Sequence, residues 1–244
     1  MAEGIDHQLT RRYLDRRVDG RIVALIDREL RGAASVLDVG CGSGLYGPAL
    51  RRRAATVVGV DHDPVLCRQA EATGAYDRVL CAPVSRLAGQ LGPVDVVFCS
   101  ELLEHLPRRE LRPTLDILES SATAKMVVTV PNRLFPHAHM DPTHVLRYRL
   151  RWLLAELNRS PCFAYSLRPL GFADHWRRHP WCRPLDAIAR RVALCSPTVL
   201  YLGHLRTGPA GSPGTPSSGP APTRSAGPPP TGPDGCRLGP GDRR

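Results

Sequence analysis

Between residues 30 and 205, short apolar runs alternate with stretches whose apolar positions recur every three or four residues, the pattern of repeated strand–helix units around a parallel sheet. Ser35 to Val39, Thr56 to Val60, Arg78 to Cys81, Val94 to Cys99 and Met126 to Val130 read as five strands in succession. Leu9, Tyr13, Leu14 and Val18, then Ile22, Val23, Leu25, Ile26 and Leu30, fall at helical spacing on either side of Asp19-Gly20 and predict one or two leader helices. Asp63-Pro64 supplies an N-cap and first-turn pair for a helix that Gly74 can close, and Leu111, Leu115 and Leu118 mark another. Tyr148 to Leu157 reads as a helix, and Thr198 to Leu205, rich in β-formers, as a late strand closing the sheet.

This layout predicts one α/β domain over residues 1–207, with a helical leader at 1–31 and a core at 32–207. From Gly208 onward about half the residues are proline or glycine and large apolar side chains all but vanish, so residues 208–244 are expected to be a disordered tail that cannot offset its ordering entropy. With 42% hydrophobic residues in 244, the chain can bury a sizeable core. Its first residues lack the apolar stretch of a signal peptide, no segment approaches the roughly 20 apolar residues of a membrane span, and eight cysteines are scattered singly without CxxC spacing. The expectation is a cytoplasmic protein with reduced thiols and no membrane partner. The net charge of +10 raises nucleic acid as a partner. Yet Lys125 is the single lysine and the arginines are spread along the chain, so charge alone does not select a nucleic-acid surface.

The most informative segment is Val36-Leu37-Asp38-Val39-Gly40-Cys41-Gly42-Ser43-Gly44. An apolar strand runs into three glycines at alternate positions, which opens backbone angles closed to other residues and lets a ligand approach the main chain; a helix follows, with free N–H groups at its start. Any nucleotide cofactor suits this arrangement, and Gly42, Gly44 and Gly47 also satisfy the GxGxxG spacing of dinucleotide folds. Asp38 argues against that reading, because it puts an acid in the last turn of the strand where a dinucleotide fold usually has an apolar residue. Val58-Gly59-Val60-Asp61 ends the second strand in a carboxylate able to accept from two hydroxyls at once.

With Asp95 to Ser100 followed by Glu101-Leu102-Leu103-Glu104-His105-Leu106, and with Val130-Pro131-Asn132 after the fifth strand, nearly all of residues 30–205 resembles the class I methyltransferases of the ubiquinone-biosynthesis and small-molecule type. The resemblance implies a Rossmann-like, seven-stranded, mostly parallel sheet with helices on both faces, and S-adenosylmethionine as cofactor. It implies that Asp38, Gly40, Cys41, Gly42 and Gly44 surround the methionine part, that Asp61 takes the ribose, and that His62, Ala82 and Ser100 complete the cofactor site. One departure stands out: where the family commonly has an Asp holding the adenine amino group, this chain has Ala82, and the contact passes to Ser85 or to backbone, or affinity is reduced.

Glu101, Glu104 and His105 are spaced i, i+3, i+4, which predicts one face of a helical turn at the carboxyl edge of the sheet, and Asp141-Pro142-Thr143-His144 offers a further imidazole. Three readings stay open for Glu101, Glu104, His105 and His144: a divalent site for Mg²⁺, Mn²⁺ or Zn²⁺, a metal-free general base at His105 or His144, and a structural brace. The arrangement also resembles the metal site of RNA 3′-terminal 2′-O-methyltransferases. His137 and His139 read as surface residues, and Phe135, Tyr148 and Trp152 as core residues able to line an acceptor pocket. The leading function is O-methylation of a small molecule or glycan, with an N-linked acceptor also open. The competitors are an RNA 3′-terminal 2′-O-methyltransferase, a degenerate cofactor-binding scaffold and a dinucleotide oxidoreductase.

Overall fold

The computed structural model describes residues 18–172 and 182–206. Helix α1 (Gly20–Glu29) is capped by the Asp19 side chain, which accepts from Arg21 N, and precedes β1 (Ser35–Val39), the short α2 (Gly47–Arg51) and β2 (Thr56–Asp61). Asp63 Oδ1 accepts from the backbone amides of Val65 and Leu66 and starts α3 (Pro64–Ala72), which leads to β3 (Arg78–Cys81) and β4 (Val94–Ser100). Next come α4 (Arg108–Ser121), β5 (Ala122–Pro131), α5 (His137–Met140) and α6 (Leu150–Leu157). The described chain closes with β6 (Phe163–Pro169), α7 (Cys182–Ala189) and β7 (Thr198–Leu205). Among the described residues no helix is long and apolar enough to cross a membrane.

The seven strands form one sheet in the order β3-β2-β1-β4-β5-β7-β6. The first five in that order run parallel, and β7 lies antiparallel between β5 and β6. Parallel neighbours need crossovers, so helices cover both faces and the central strands are apolar on both sides. Leu37 and Val39 of β1 face a cluster with Leu111, Leu115, Leu118 and Leu153, whereas Val36 faces Ile22, Leu25, Ile26 and Leu50. This is the expected mostly parallel α/β architecture with helices on both faces.

The predicted strands at 35–39, 78–81 and 198–205 carry those bounds, and the second and fourth run one residue further, to Asp61 and Ser100. The fifth starts four residues earlier than read, at Ala122, and its Lys125 Nζ donates to Glu29 O at 2.6 Å. Strand β6 and helix α7 were not anticipated from the sequence. The helix read from Tyr148 begins at Leu150, since the Tyr148 hydroxyl turns inward and donates to Leu103 O at 2.9 Å. Val18 precedes α1 and is exposed; the leader positions Leu9 to Leu14 and the expected tail at 208–244 lie outside the described residues.

Candidate cofactor and proton-transfer site

The parallel strands β1, β2 and β4 deliver Val39, Asp61 and Ser100 to one edge of the sheet, the carboxyl edge at which open α/β folds bind ligands. Gly40 and Cys41 both donate backbone N–H to Val60 O, at 2.8 and 3.0 Å, and the turn then passes through positive φ at Gly40, Gly42 and Gly44. At Gly42 a β-carbon would meet nothing within 4 Å, so this residue faces open space where a ligand can approach the backbone. Gly40 instead makes room for Leu102, and Gly44 for Ala70, Thr73 and Tyr76.

Asp61 is held from two sides: Oδ2 accepts from Gly42 N at 2.9 Å and Oδ1 from Asp63 N at 3.0 Å. A carboxylate retains further lone pairs beyond these two bonds. His62 beside it is 78% exposed, with Nδ1 3.5 Å from Asp61 Oδ1. Ala82 N is spent on Asp61 O at 2.8 Å, and Ser85 stands exposed on the following short turn, Val84–Arg86. Ser100 shares a 2.8 Å hydrogen bond with Thr129 between the tips of β4 and β5.

Asp38 is buried under the turn. Burial raises its carboxyl to about 7 despite a 2.7 Å hydrogen bond from the Tyr76 hydroxyl, and the nearby Asp61 charge adds to the rise. Burial likewise pushes the Cys41 thiol far above its ordinary range, with Asp38 and Asp61 adding to it, which leaves Cys41 a neutral packing residue and no nucleophile. Tyr76 drew no attention in the sequence, where a lone aromatic after a helix carries no pattern.

The Glu101–His105 segment is not the helical turn its spacing predicts. Glu101 takes φ 55, and a single 3₁₀ turn spans Leu103–His105. The reason is that Glu101 N is committed to Thr129 O at 3.0 Å, which carries the chain on from the sheet before it can coil. The consequence is that Glu101 falls outside the cluster. Glu104, His105 and His144 come together with ligand atoms within 4.8 Å of one another, and the two imidazole rings lie edge to face at 4.8 Å.

The partners of the two imidazoles fix which nitrogen carries hydrogen. His144 Nδ1 lies 3.0 Å from Ala138 O, and a carbonyl can only accept, so Nδ1 carries hydrogen and the neutral ring has its lone pair on Nε2. The Thr143 hydroxyl donates to Asp141 Oδ1 and therefore accepts from His105 Nδ1 at 2.9 Å, so this ring too, when neutral, has its lone pair on Nε2. Burial raises the Asp141 carboxyl, but the bonds from Thr143 and the nearby His144 and His105 outweigh it and hold it below its ordinary value. His144 Nε2 is 4.0 Å from Glu104 Oε1 and 3.9 Å from Asp141 Oδ2. Leu146 N donates to Glu104 O at 3.0 Å, so the two loops are joined by backbone as well as by side chains. His139 is exposed, as expected, with Nε2 on Arg133 O; the side chain of His137 lies outside the described residues. Trp152 is stacked on Tyr148 at 5.6 Å with Arg108 5.0 Å over its ring, so it locks the start of α4 to α6.

Residues 36–121 match the family described as a methyltransferase domain. A ubiquinone biosynthesis O-methyltransferase of Xylella fastidiosa is 42% identical over 79 residues, 30% of this chain and 32% of the relative; the chain thus spans about a third of the length of the curated relative it matches. Among solved structures, the magnesium protoporphyrin IX methyltransferase of Synechocystis with bound S-adenosylhomocysteine superposes with a TM-score of 0.57 at 18% identity, over 83% of this chain and 95% of that one. A small RNA methyltransferase gives 0.60 at 16% identity, over 77% of this chain and 25% of that one. At these identities the structural likenesses show the fold. Residues 36–121 thus match a methyltransferase domain, and the described chain has the fold of the S-adenosylmethionine-dependent methyltransferases it superposes on.

Proposed function

We propose that the chain transfers a methyl group from S-adenosylmethionine to an oxygen of a small molecule or glycan. The observation that carries this reading is the open Gly42 turn beside the doubly held Asp61 carboxylate, at the same sheet edge as two imidazoles whose Nδ1 atoms are tied, leaving Nε2 as the lone-pair position of each neutral ring. The residues fit the cofactor: Gly42 gives backbone access, the Asp61 carboxylate suits a ribose diol, and Gly40, Cys41 and Gly44 hold the turn, with Asp38 beneath it. His62 and Ser100 flank it, and Ala82 leaves the adenine end to backbone or Ser85. When bound, the cofactor supplies an electrophilic methyl group on a sulfonium that departs as a neutral thioether.

What remains for the protein is to align the acceptor hydroxyl and take its proton. His144 Nε2, aimed toward Glu104, serves as the base, with His105 beside it. The same group fits a divalent ion. A separation of 4.0 Å is too long for a hydrogen bond, and donors around a tetrahedral ion lie about 3.4 Å apart, so the pair would close in slightly on binding one. Glu104, His105 and His144 would hold that ion; two imidazoles and one carboxylate favour Zn²⁺ or Mn²⁺ over Mg²⁺. It would polarise the acceptor hydroxyl and lower its pKa.

A second reading, methylation of an RNA 3′-terminal ribose, is favoured by this metal-capable cluster. Calorimetric titration with S-adenosylmethionine, S-adenosylhomocysteine and NAD, each with and without Zn²⁺, Mn²⁺ or Mg²⁺, tests the first step. Both adenosyl ligands should bind and NAD should not. Failure of both would leave a scaffold in place of an enzyme. An acceptor screen with hydroxylated aromatics, oligosaccharides and a small RNA bearing a free 3′ ribose then separates the two enzymatic readings.

A further inference from the structure

Three glycines from three elements open onto one ring. A β-carbon at Gly44 would come within 3.0 Å of Tyr76 Cε2, one at Gly47 within 2.6 Å of the same atom, and one at Gly59 within 3.1 Å of Cδ1. Gly44 belongs to the turn, Gly47 begins α2, and Gly59 lies in β2 as the cross-strand partner of Asp38. The ring fills the space these residues leave, and its hydroxyl donates to Asp38 Oδ2 at 2.7 Å.

Tyr76 has no freedom to retreat from this place. Ala75 O accepts from Arg51 Nε at 2.9 Å, Asp77 Oδ2 accepts from Val57 N at 2.7 Å, and Asp77 N donates to Val57 O at 2.9 Å. The residues on both sides of Tyr76 are thus tied to α2 and β2. The titratable groups facing Asp38 are the Tyr76 hydroxyl, the Asp61 carboxylate, the Cys41 thiol and, from β4, the Cys99 thiol. Asp61 in turn holds Gly42 N at 2.9 Å, so the Tyr76 hydroxyl and the Gly42 amide each donate to one of two carboxylates that feel each other's charge.

We propose that Tyr76 is a positioning residue for the cofactor turn, setting the backbone of Gly40 to Gly44 through its ring and setting Asp38 through its hydroxyl. This rests on the reading of that turn as the S-adenosylmethionine site. The physical basis is that a site is held to its working geometry only when the shell behind it is fixed by packing and hydrogen bonds. Loss of the hydroxyl leaves the Asp38 carboxyl buried without its donor, next to Asp61, and the cost appears at the turn rather than in the sheet.

The test is Tyr76→Phe, which keeps the ring and so the packing. S-adenosylhomocysteine should bind about tenfold more weakly at pH 7, the effect expected for a lost hydrogen bond to a charged group. The turn amides of Gly42 and Gly44 should exchange hydrogen faster, while amides of β4 and β5 keep their protection. Wild-type affinity should show a step near pH 7, which moves to higher pH in the variant because the Tyr76 bond favours ionised Asp38. A merely structural tyrosine would lower Tm and leave the affinity and its pH step where they were; that result overturns the proposal, as does the absence of any step in the wild type. If the wild type binds no adenosyl ligand, the cofactor reading fails, and the exchange of Gly42 and Gly44 still decides whether Tyr76 sets the turn.

Discussion

At the residue scale the chemistry rests on a few carboxylates whose neighbours differ. Asp61 sits at a strand tip with two backbone donors, and Asp61→Ala leaves Gly42 N and Asp63 N without their acceptor. Affinity for S-adenosylhomocysteine should fall at least about tenfold in calorimetry; an unchanged value would remove Asp61 from the cofactor site. Asp38 has the opposite surroundings. Its folded value of about 7 lies above that of the unfolded chain, so the native state holds the proton more tightly. Its stability contribution is therefore full below about pH 4 and is lost as pH rises through 7. Asp38→Asn still accepts from Tyr76 and cannot ionise, so denaturant titration should find it more stable than the parent at pH 8, by on the order of 4 kcal/mol, with the gap closing toward pH 4. The glycines, Asp38 and Asp61 were legible because each is a residue type dictated by its position in a strand-and-turn pattern. Tyr76 was not, since its partners Gly44, Gly47, Gly59 and Asp38 are dispersed in sequence and meet only across strands.

At the scale of elements, the strands that alternate cleanly or run apolar could be read with little error, and the edge strand β6 could not. Phe163 and Tyr165 face inward and Ala164 and Ser166 outward, but the run is short and ends in Pro169. What makes it a strand is β7, with which it pairs antiparallel from Phe163–Leu205 to Pro169–Val199. That pairing sets Gly203 beside Tyr165, where a β-carbon would lie 2.7 Å from the ring. The ring cannot swing away, because its hydroxyl is tied to Glu119 Oε1 at 2.9 Å, itself held by Arg112 Nη2 at 2.9 Å. Gly203→Ala should cost about 1–3 kcal/mol in denaturant titration, as overpacked cores do. A neutral outcome would mean that β6 gives way freely. The misread 101–105 turn has the same root: periodicity placed Glu101 on a helix, and the bond from Glu101 N to Thr129 O took it out of one.

For the whole molecule, all seven strands and both core clusters lie within 18–206. A chain ending at Arg206 should therefore keep the Tm and the adenosyl-ligand affinity of the full protein. A chain ending at Pro197 loses β7 from between β5 and β6 and should give no cooperative unfolding transition. Metal dependence belongs at this scale too, since Glu104 and His144 reach one point only after β4 and the loop beyond β5 are set side by side. Chelator treatment followed by Zn²⁺ or Mn²⁺ titration should show binding that His144→Ala abolishes. Metal uptake unaltered in that variant would send the ion elsewhere.

Residue order alone set the strand–helix alternation, the glycine turn with Asp38 and Asp61, and the order of segments that resembles the class I methyltransferases. These are local patterns, written in residues that lie within a few positions of one another. The tertiary structure decided which of the acidic and imidazole residues meet. Glu101 is kept out of the helical turn by a cross-strand backbone bond, His105 and His144 are 39 positions apart yet packed edge to face, and Tyr76 is fitted under a turn that precedes it by more than 30 residues. Long-range contacts of this kind depend on strand register and crossover packing, which no local spacing encodes.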